Sequence, residues 1–108
     1  MFIKSNEKEL KPLIDGVFIK PMAFGVKSLI CKFLLKEGHS LPAHRHPYEQ
    51  TGFLISGKLK FRINTEWYDA EAGDSWSIPE NIEHEVIVLE DSEVIEVFIP
   101  VREEYLNY

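Results

Sequence analysis

Three of the chain's four histidines, His44, His46 and His84, have the type and spacing that suit a metal ion. His44 and His46 are two residues apart, so on an extended strand both imidazoles project from the same face. Nitrogen ligands of an ion such as zinc must come within about 2.0–2.1 Å of one centre, which side chains on opposite faces cannot do. Gln50 keeps the same parity four residues on and starts the apolar run Thr51–Ile55. His84 opens a separate strand after Pro79, and that strand must lie beside the first if the rings are to meet. The fourth histidine, His39, precedes the others in a turn and reads as exposed.

A second chemical candidate lies near the C-terminus. Val94, Glu96 and Phe98 share one strand parity, while Ile95, Val97 and Ile99 share the other, and Arg102 follows shortly after. If Glu96 faces inward, burial raises its pKa and a nearby cation lowers it, which makes it a candidate proton carrier. If Ile95, Val97 and Ile99 are the core face, Glu96 is a solvated strand carboxylate. Periodicity leaves both readings open. Trp67 and Trp76 read as core or edge packing, and Arg45 and Tyr48 as possible residues of a site mouth.

The elements that must position these groups are short strands. Val17–Ile19, Val26–Leu35, Glu49–Ser56, Trp67–Ala70, Asp74–Ile78, His84–Leu89 and Glu93–Ile99 are separated by glycine, proline and polar turns. Leu59, Phe61 and Ile63 alternate with Lys58, Lys60 and Arg62, the pattern of a strand with one buried face. Ser56-Gly57 before them reads as a tight hairpin turn, Ala72-Gly73-Asp74 as another, and Glu90-Asp91-Ser92 as a strand break. Only Arg102–Leu106 has a helical look. Many short strands with almost no helix predict an all-β sandwich or barrel.

At 108 residues, with 44% hydrophobic and 12% aromatic content, the chain suits one domain spanning 1–108 with its own core. A formal charge of −6, with basic residues scattered singly, argues against nucleic acid and anionic membrane surfaces as partners. Cys31 is the single cysteine, so no intrachain disulfide forms; in its apolar stretch it reads as a buried structural thiol. No leader-like charged and apolar pattern or membrane-length apolar run is present, and the expected location is the cytoplasm.

Two stretches together resemble the paired motifs of the cupin family. Gly38-(five residues)-His44-Arg45-His46-(three residues)-Gln50-(six residues)-Gly57 is similar to the first, with Gln50 where glutamate is usual. Gly73-(five residues)-Pro79-Glu80-Asn81-(two residues)-His84 is similar to the second, with Asn81 where glycine is usual and Val88 in place of a final asparagine. Asparagine also tolerates the left-handed region. The resemblance covers roughly residues 25–103 and implies a double-stranded β-helix, or jelly-roll barrel, whose mouth holds one divalent metal ion. By that resemblance His44, His46, Gln50 and His84 are the ligands; Glu49 is the alternative to Gln50, which has the matching parity and distance to Gly57. A neutral amide in place of a carboxylate leaves the ion's charge uncompensated, strengthens it as a Lewis acid and favours an anionic ligand. The metal itself (nickel, zinc, iron, manganese or copper) is not set by the donor types.

Gln50 together with Glu96-x-Phe98-x-Pro100-x-Arg102 further resembles the KdgF-type cupins, which open unsaturated uronate sugars to linear keto acids and carry aspartate where this chain has Glu96. The resemblance implies Glu96 as acid/base, Phe98 as pocket wall and Arg102 as a clamp for a substrate carboxylate, for which its planar fork is suited. It also implies a homodimer, in keeping with outward apolar residues such as Phe53 and Ile55. The expectation is thus a metal-dependent enzyme acting on a small carboxylated sugar. The alternatives are an oxygen-using cupin with a redox metal and a non-catalytic domain that binds a small ligand.

Overall fold

A strand of 16 residues at about 3.3 Å per residue spans about 50 Å, yet the longest dimension of this molecule is 36 Å. The computed structural model, which describes residues 1–108, resolves that mismatch by bending its two longest strands. The elements are β1 (Lys11–Ile14), β2 (Val17–Phe24), β3 (Leu29–Leu35), β4 (Ser40–His44), β5 (Glu49–Ile63), β6 (Glu66–Glu71), β7 (Ser75–Ile78), β8 (His84–Ile99) and a 3-10 helix at Glu103–Asn107. No helix is long and apolar enough to cross a membrane.

β5 and β8 form a central antiparallel ribbon running from Glu49↔Ile99 to Ile63↔His84. Each end of the ribbon recruits different neighbours. At one end β3 pairs with Ser92–Phe98 of β8 and β7 pairs with Gln50–Phe53 of β5. At the other, β4 pairs with the His84–Ile87 end of β8, and β6 pairs with Lys58–Ile63 of β5. β2 and β1 extend the first half. Folding the ribbon on itself lays the two halves face to face, the all-β jelly roll expected from the sequence, with Ile19, Leu29, Leu54, Leu59, Val88 and Phe98 packed between them.

The bend corrects two expectations. Ser56-Gly57 is not a hairpin turn, and Glu90-Asp91-Ser92 does not end a strand; both lie within continuous strands, facing one another where the β5–β8 register shifts. Gly57 has φ +100°, and a Cβ there would overlap Ser92 Oγ and the Asp91 carbonyl. A glycine with positive φ serves a β-bulge as well as a turn, and the sequence does not distinguish them. The bulge also switches which parity of β5 is buried, from Gln50, Gly52 and Leu54 to Leu59 and Phe61.

Other boundaries follow the sequence more closely. Gly73 has φ +96°, and the Asp74 carboxylate accepts a 2.8 Å bond from the Glu71 amide, closing the β6–β7 turn. The C-terminal tail forms the expected short helical turn and buries Tyr105 edge-on against Phe33 and Phe98, with centroids 6.1 and 5.4 Å away. β1 has no sequence signal: a proline-containing edge strand needs neither alternation nor apolar content.

Candidate metal centre

His44 ends β4, His84 begins β8, and the two are register partners across the antiparallel pair. The separate strand of His84 therefore does lie beside that of His44. His46 lies just past the end of β4, in the loop leading to β5, and is carried inward by that loop rather than by strand pleating. The loop is fixed by the second histidine's own segment: the Asn81 amide donates a 2.8 Å bond to the His46 carbonyl. Asn81 makes that reach from φ +63°, the left-handed conformation its residue type tolerates.

The ring orientations follow from two local bonds. His44 Nδ1 lies 2.8 Å from the Pro42 carbonyl and His84 Nδ1 lies 2.9 Å from the Ile82 carbonyl. A carbonyl only accepts, so each Nδ1 carries the proton and each Nε2 presents a lone pair. Such anchoring of the distal ring nitrogen is the usual support of a metal-bound histidine. His84 Nε2 is buried with no hydrogen-bond partner, a costly arrangement for a lone pair unless a cation takes it. One potential ligand atom from each of the three histidines lies within 4.8 Å of the others.

Gln50, the second residue of β5, is buried, and its Oε1 lies 3.0 Å from His46 Nε2. This is a hydrogen bond between the two side chains, which holds the amide oxygen next to the histidine ring. Glu49, one residue away, is on the outer, exposed face. The three histidine nitrogens thus fit a divalent ion on their own geometry, with the Gln50 amide oxygen beside them. Burial is the main reason that His84 is pushed down to about 4, with the neighbouring His44, His46 and Arg102 charges adding to it. Burial followed by the Arg102 charge lowers His46 in the same way. Both rings are therefore neutral, as ligands must be, at neutral pH.

The cavity beside the histidines is also lined by Glu96, Phe98 and Arg102. Glu96 settles the parity question left by the sequence: Val94, Glu96 and Phe98 point inward, Ile95 and Val97 are half-buried, and Ile99 is exposed. The Glu96 side chain, only 5% exposed, is pushed up to about 8 by burial, offset in part by the neighbouring Gln50 amide and Trp76 indole. Arg102 is held among aromatic rings, 4.1 Å above Tyr105 and 5.3–5.4 Å from Tyr48 and Phe98. Its Nε donates to Glu104 Oε1 at 2.7 Å, and the Tyr48 hydroxyl donates to the other carboxylate oxygen at 3.1 Å. A carboxylate from the tail therefore ties the arginine to the loop between His46 and Gln50.

Other residues take less chemical positions. His39 and Arg45 are exposed. Cys31 is fully buried, and burial with the nearby Glu96 charge pushes its thiol up to about 12, which keeps it unreactive. Trp67 is exposed, with Lys60 Nζ 5.9 Å from its ring centroid. Trp76 packs against the core as expected, its ring 4.8 Å from that of Phe61, and in addition lines the cavity and donates its indole N–H to Glu96 Oε1 at 3.1 Å. The available signal was its parity with Ile78, the partner of Gln50 on β7.

Residues 32–100 match the family described as Cupin domain. Among solved structures, an RmlC-like cupin from Shewanella frigidimarina superposes with TM-score 0.91 at 20% identity, covering 96% of this chain and 94% of that one. KdgF from Halomonas sp. superposes with TM-score 0.90 at 24% identity, covering 96% of each chain. A predicted oxalate decarboxylase from Thermotoga maritima is more distant, with TM-score 0.76 at 20% identity over 93% of this chain and 99% of that one. No curated protein sequence matches this chain significantly.

Proposed function

This chain belongs to the cupin domain family, and from that premise we propose that it is a metal-dependent enzyme that opens the ring of a small carboxylated sugar, with an unsaturated uronate as its substrate. One observation carries this reading: an interior acid, Glu96, and an arginine, Arg102, border the same cavity as His44, Gln50 and His84. The likeness in fold to KdgF supports the choice of substrate class. The proposed enzyme is a cytoplasmic homodimer of one-domain subunits.

His44, His46 and His84 would hold one divalent ion through ring nitrogens, and Gln50 through its amide oxygen. The bound ion supplies Lewis acidity toward a substrate oxygen, undiminished by any carboxylate among its ligands. Arg102 receives the substrate carboxylate; its bond to Glu104 occupies Nε, and the aromatic rings around it restrict its motion. Phe98 forms part of the apolar cavity wall.

Glu96 carries the proton. Opening a cyclic 4,5-unsaturated uronate removes the anomeric hydroxyl proton and breaks the bond between C1 and the ring oxygen, leaving an aldehyde and an enolate. Protonation at C4 converts that enolate to a ketone. One proton leaves and one arrives, so a single carboxyl that takes the first and returns it balances the isomerisation. A carboxyl with a pKa raised toward neutrality is suited to both transfers.

The test is to load the chelator-stripped protein with single metals and incubate it with 4,5-unsaturated galacturonate. The expected result is metal-dependent acceleration of the loss of the substrate's ultraviolet absorbance, abolished in His84→Ala together with metal retention. Decay at the uncatalysed rate with every metal would remove this function.

A further inference from the structure

Gly52 sits in the middle of β5, where a residue without a side chain weakens a strand and calls for a reason. Its cross-strand partners supply one. Gly52 pairs with Trp76 of β7 on one side and with Glu96 of β8 on the other. The side chains of these two neighbours meet over the glycine, where the indole Nε1–H donates to Glu96 Oε1 at 3.1 Å. A Cβ at position 52 would overlap both Trp76 Nε1 and Glu96 Oε2. The bond therefore exists only because position 52 is bare.

The indole can only donate, so it engages one carboxyl oxygen and leaves the other for a different partner. That other oxygen, Oε2, is buried with no hydrogen-bond partner, within a side chain that borders the cavity of the metal centre. That oxygen lies against the bare Gly52 backbone, which is why a Cβ there would overlap it, and the Gln50 amide stands beside the carboxyl. We propose that Trp76 is a positioning residue for Glu96: across the gap left by Gly52 its indole pins the carboxyl in the cavity wall, in the place from which it transfers the proton. The assignment rests on the reading of Glu96 as the acid/base of the proposed reaction. It adds Trp76, which touches no reacting atom, and Gly52, which clears the space.

The pinning matters because a glutamate has one more rotatable bond than an aspartate. An unrestrained Glu96 carboxyl would sample positions about 1 Å apart, enough to cost a large factor in proton transfer. The indole bond removes that freedom.

Two measurements on the metal-loaded full chain test the assignment. In the first, the two tryptophan indole N–H resonances are followed by nitrogen-15 NMR, with Trp76→Phe identifying the Trp76 signal. Glu96→Ala is expected to shift that signal strongly upfield and leave exposed Trp67 in place. A Trp76 signal indifferent to Glu96→Ala overturns the proposal, whether or not the protein turns over any sugar.

The second is kinetic, with 4,5-unsaturated galacturonate. Trp76→Phe is expected to lower kcat about tenfold or more with KM within about twofold. In a Glu96→Asp background, whose shorter acid draws back from the indole, the same change should cost less than about twofold. An equal loss in both backgrounds, or a loss confined to KM, overturns positioning through Glu96. If the unchanged protein opens no uronate while the Trp76 resonance still answers to Glu96, the substrate reading fails and the indole–carboxyl pinning stands. Gly52→Ala should reproduce the upfield shift of the Trp76 signal seen in Glu96→Ala; if that variant does not fold, the Glu96→Ala and Trp76→Phe spectra decide alone.

Discussion

Glu96 and His84 are titratable groups that burial displaces in opposite directions along the pH axis. In the chelated protein Glu96 is pushed up from 4.5 to about 8, so between those values the folded chain keeps a proton that the unfolded chain has lost. Its contribution is full below about pH 4.5 and disappears as pH rises through about 8. His84 is pushed down from 6.5 to about 4, so its contribution is full above 6.5 and lost as pH falls through about 4. The two slopes oppose one another on the acid side, and between pH 6.5 and 8 only the Glu96 slope remains. Metal-free protein should therefore lose melting temperature from pH 6.5 to 8, and Glu96→Gln should flatten that decline. A decline of equal steepness in the variant would assign it to other groups. At this scale the sequence was informative in residue types and spacing: the three histidines were visible as a group, although His46 reaches the centre through its loop and not through strand parity. It was silent on Glu96, because Ile95, Val97 and Ile99 made an equally apolar stripe. It was also silent on Trp76, because a partner 20 residues away is set by strand pairing and not by local pattern.

At the scale of elements, alternation revealed most strands but misplaced the events at Ser56-Gly57 and Glu90-Asp91-Ser92. Polar and glycine residues mark any departure from straight strand geometry, and a bend within a strand carries the same signature as a turn between two. Gly57 is where the distinction has an energetic consequence. Gly57→Ala must adopt φ near +100° and place its Cβ against Ser92 and the Asp91 carbonyl. The expected destabilisation is about 1–3 kcal/mol, the range for a non-glycine residue forced into such a conformation. Urea unfolding monitored by tryptophan fluorescence measures it; a midpoint unchanged from the parent would mean that the corner is not under this constraint. The aligned tail needs no such correction, since Tyr105 buries itself against Phe33 and Phe98 as a short apolar anchor.

For the whole molecule, the outer face of the sheet exposes Phe53 (45%), Ile55 (38%) and Ile99 (41%), the first two on β5 and the last on β8. Phe53 pairs with half-buried Ile95, so these side chains extend over both strands of the ribbon. A homodimer that covers this surface should dissociate when a charge is placed in it. Sedimentation velocity of Phe53→Glu is expected to give a monomer of 12.6 kDa where the parent gives twice that mass. A parent that sediments as a monomer at every concentration removes the dimer.

The folded ribbon has one more consequence. Gln50 pairs with Phe98 at one end of it and His84 pairs with Ile63 at the other, so residues remote along the ladder become neighbours only through the corner at Gly57 and Ser92. A cation gripped by both would behave as the clasp of a bracelet, with the corner as its spring. Saturation at 100 times the dissociation constant is worth about 2.7 kcal/mol, or on the order of 10 °C in a domain of this size. Stripping the ion should lower the melting temperature by that much and quicken amide exchange at 56–58 and 90–92, far from any ligand atom. Exchange that quickens only around the histidines would show that the spring and the clasp are independent.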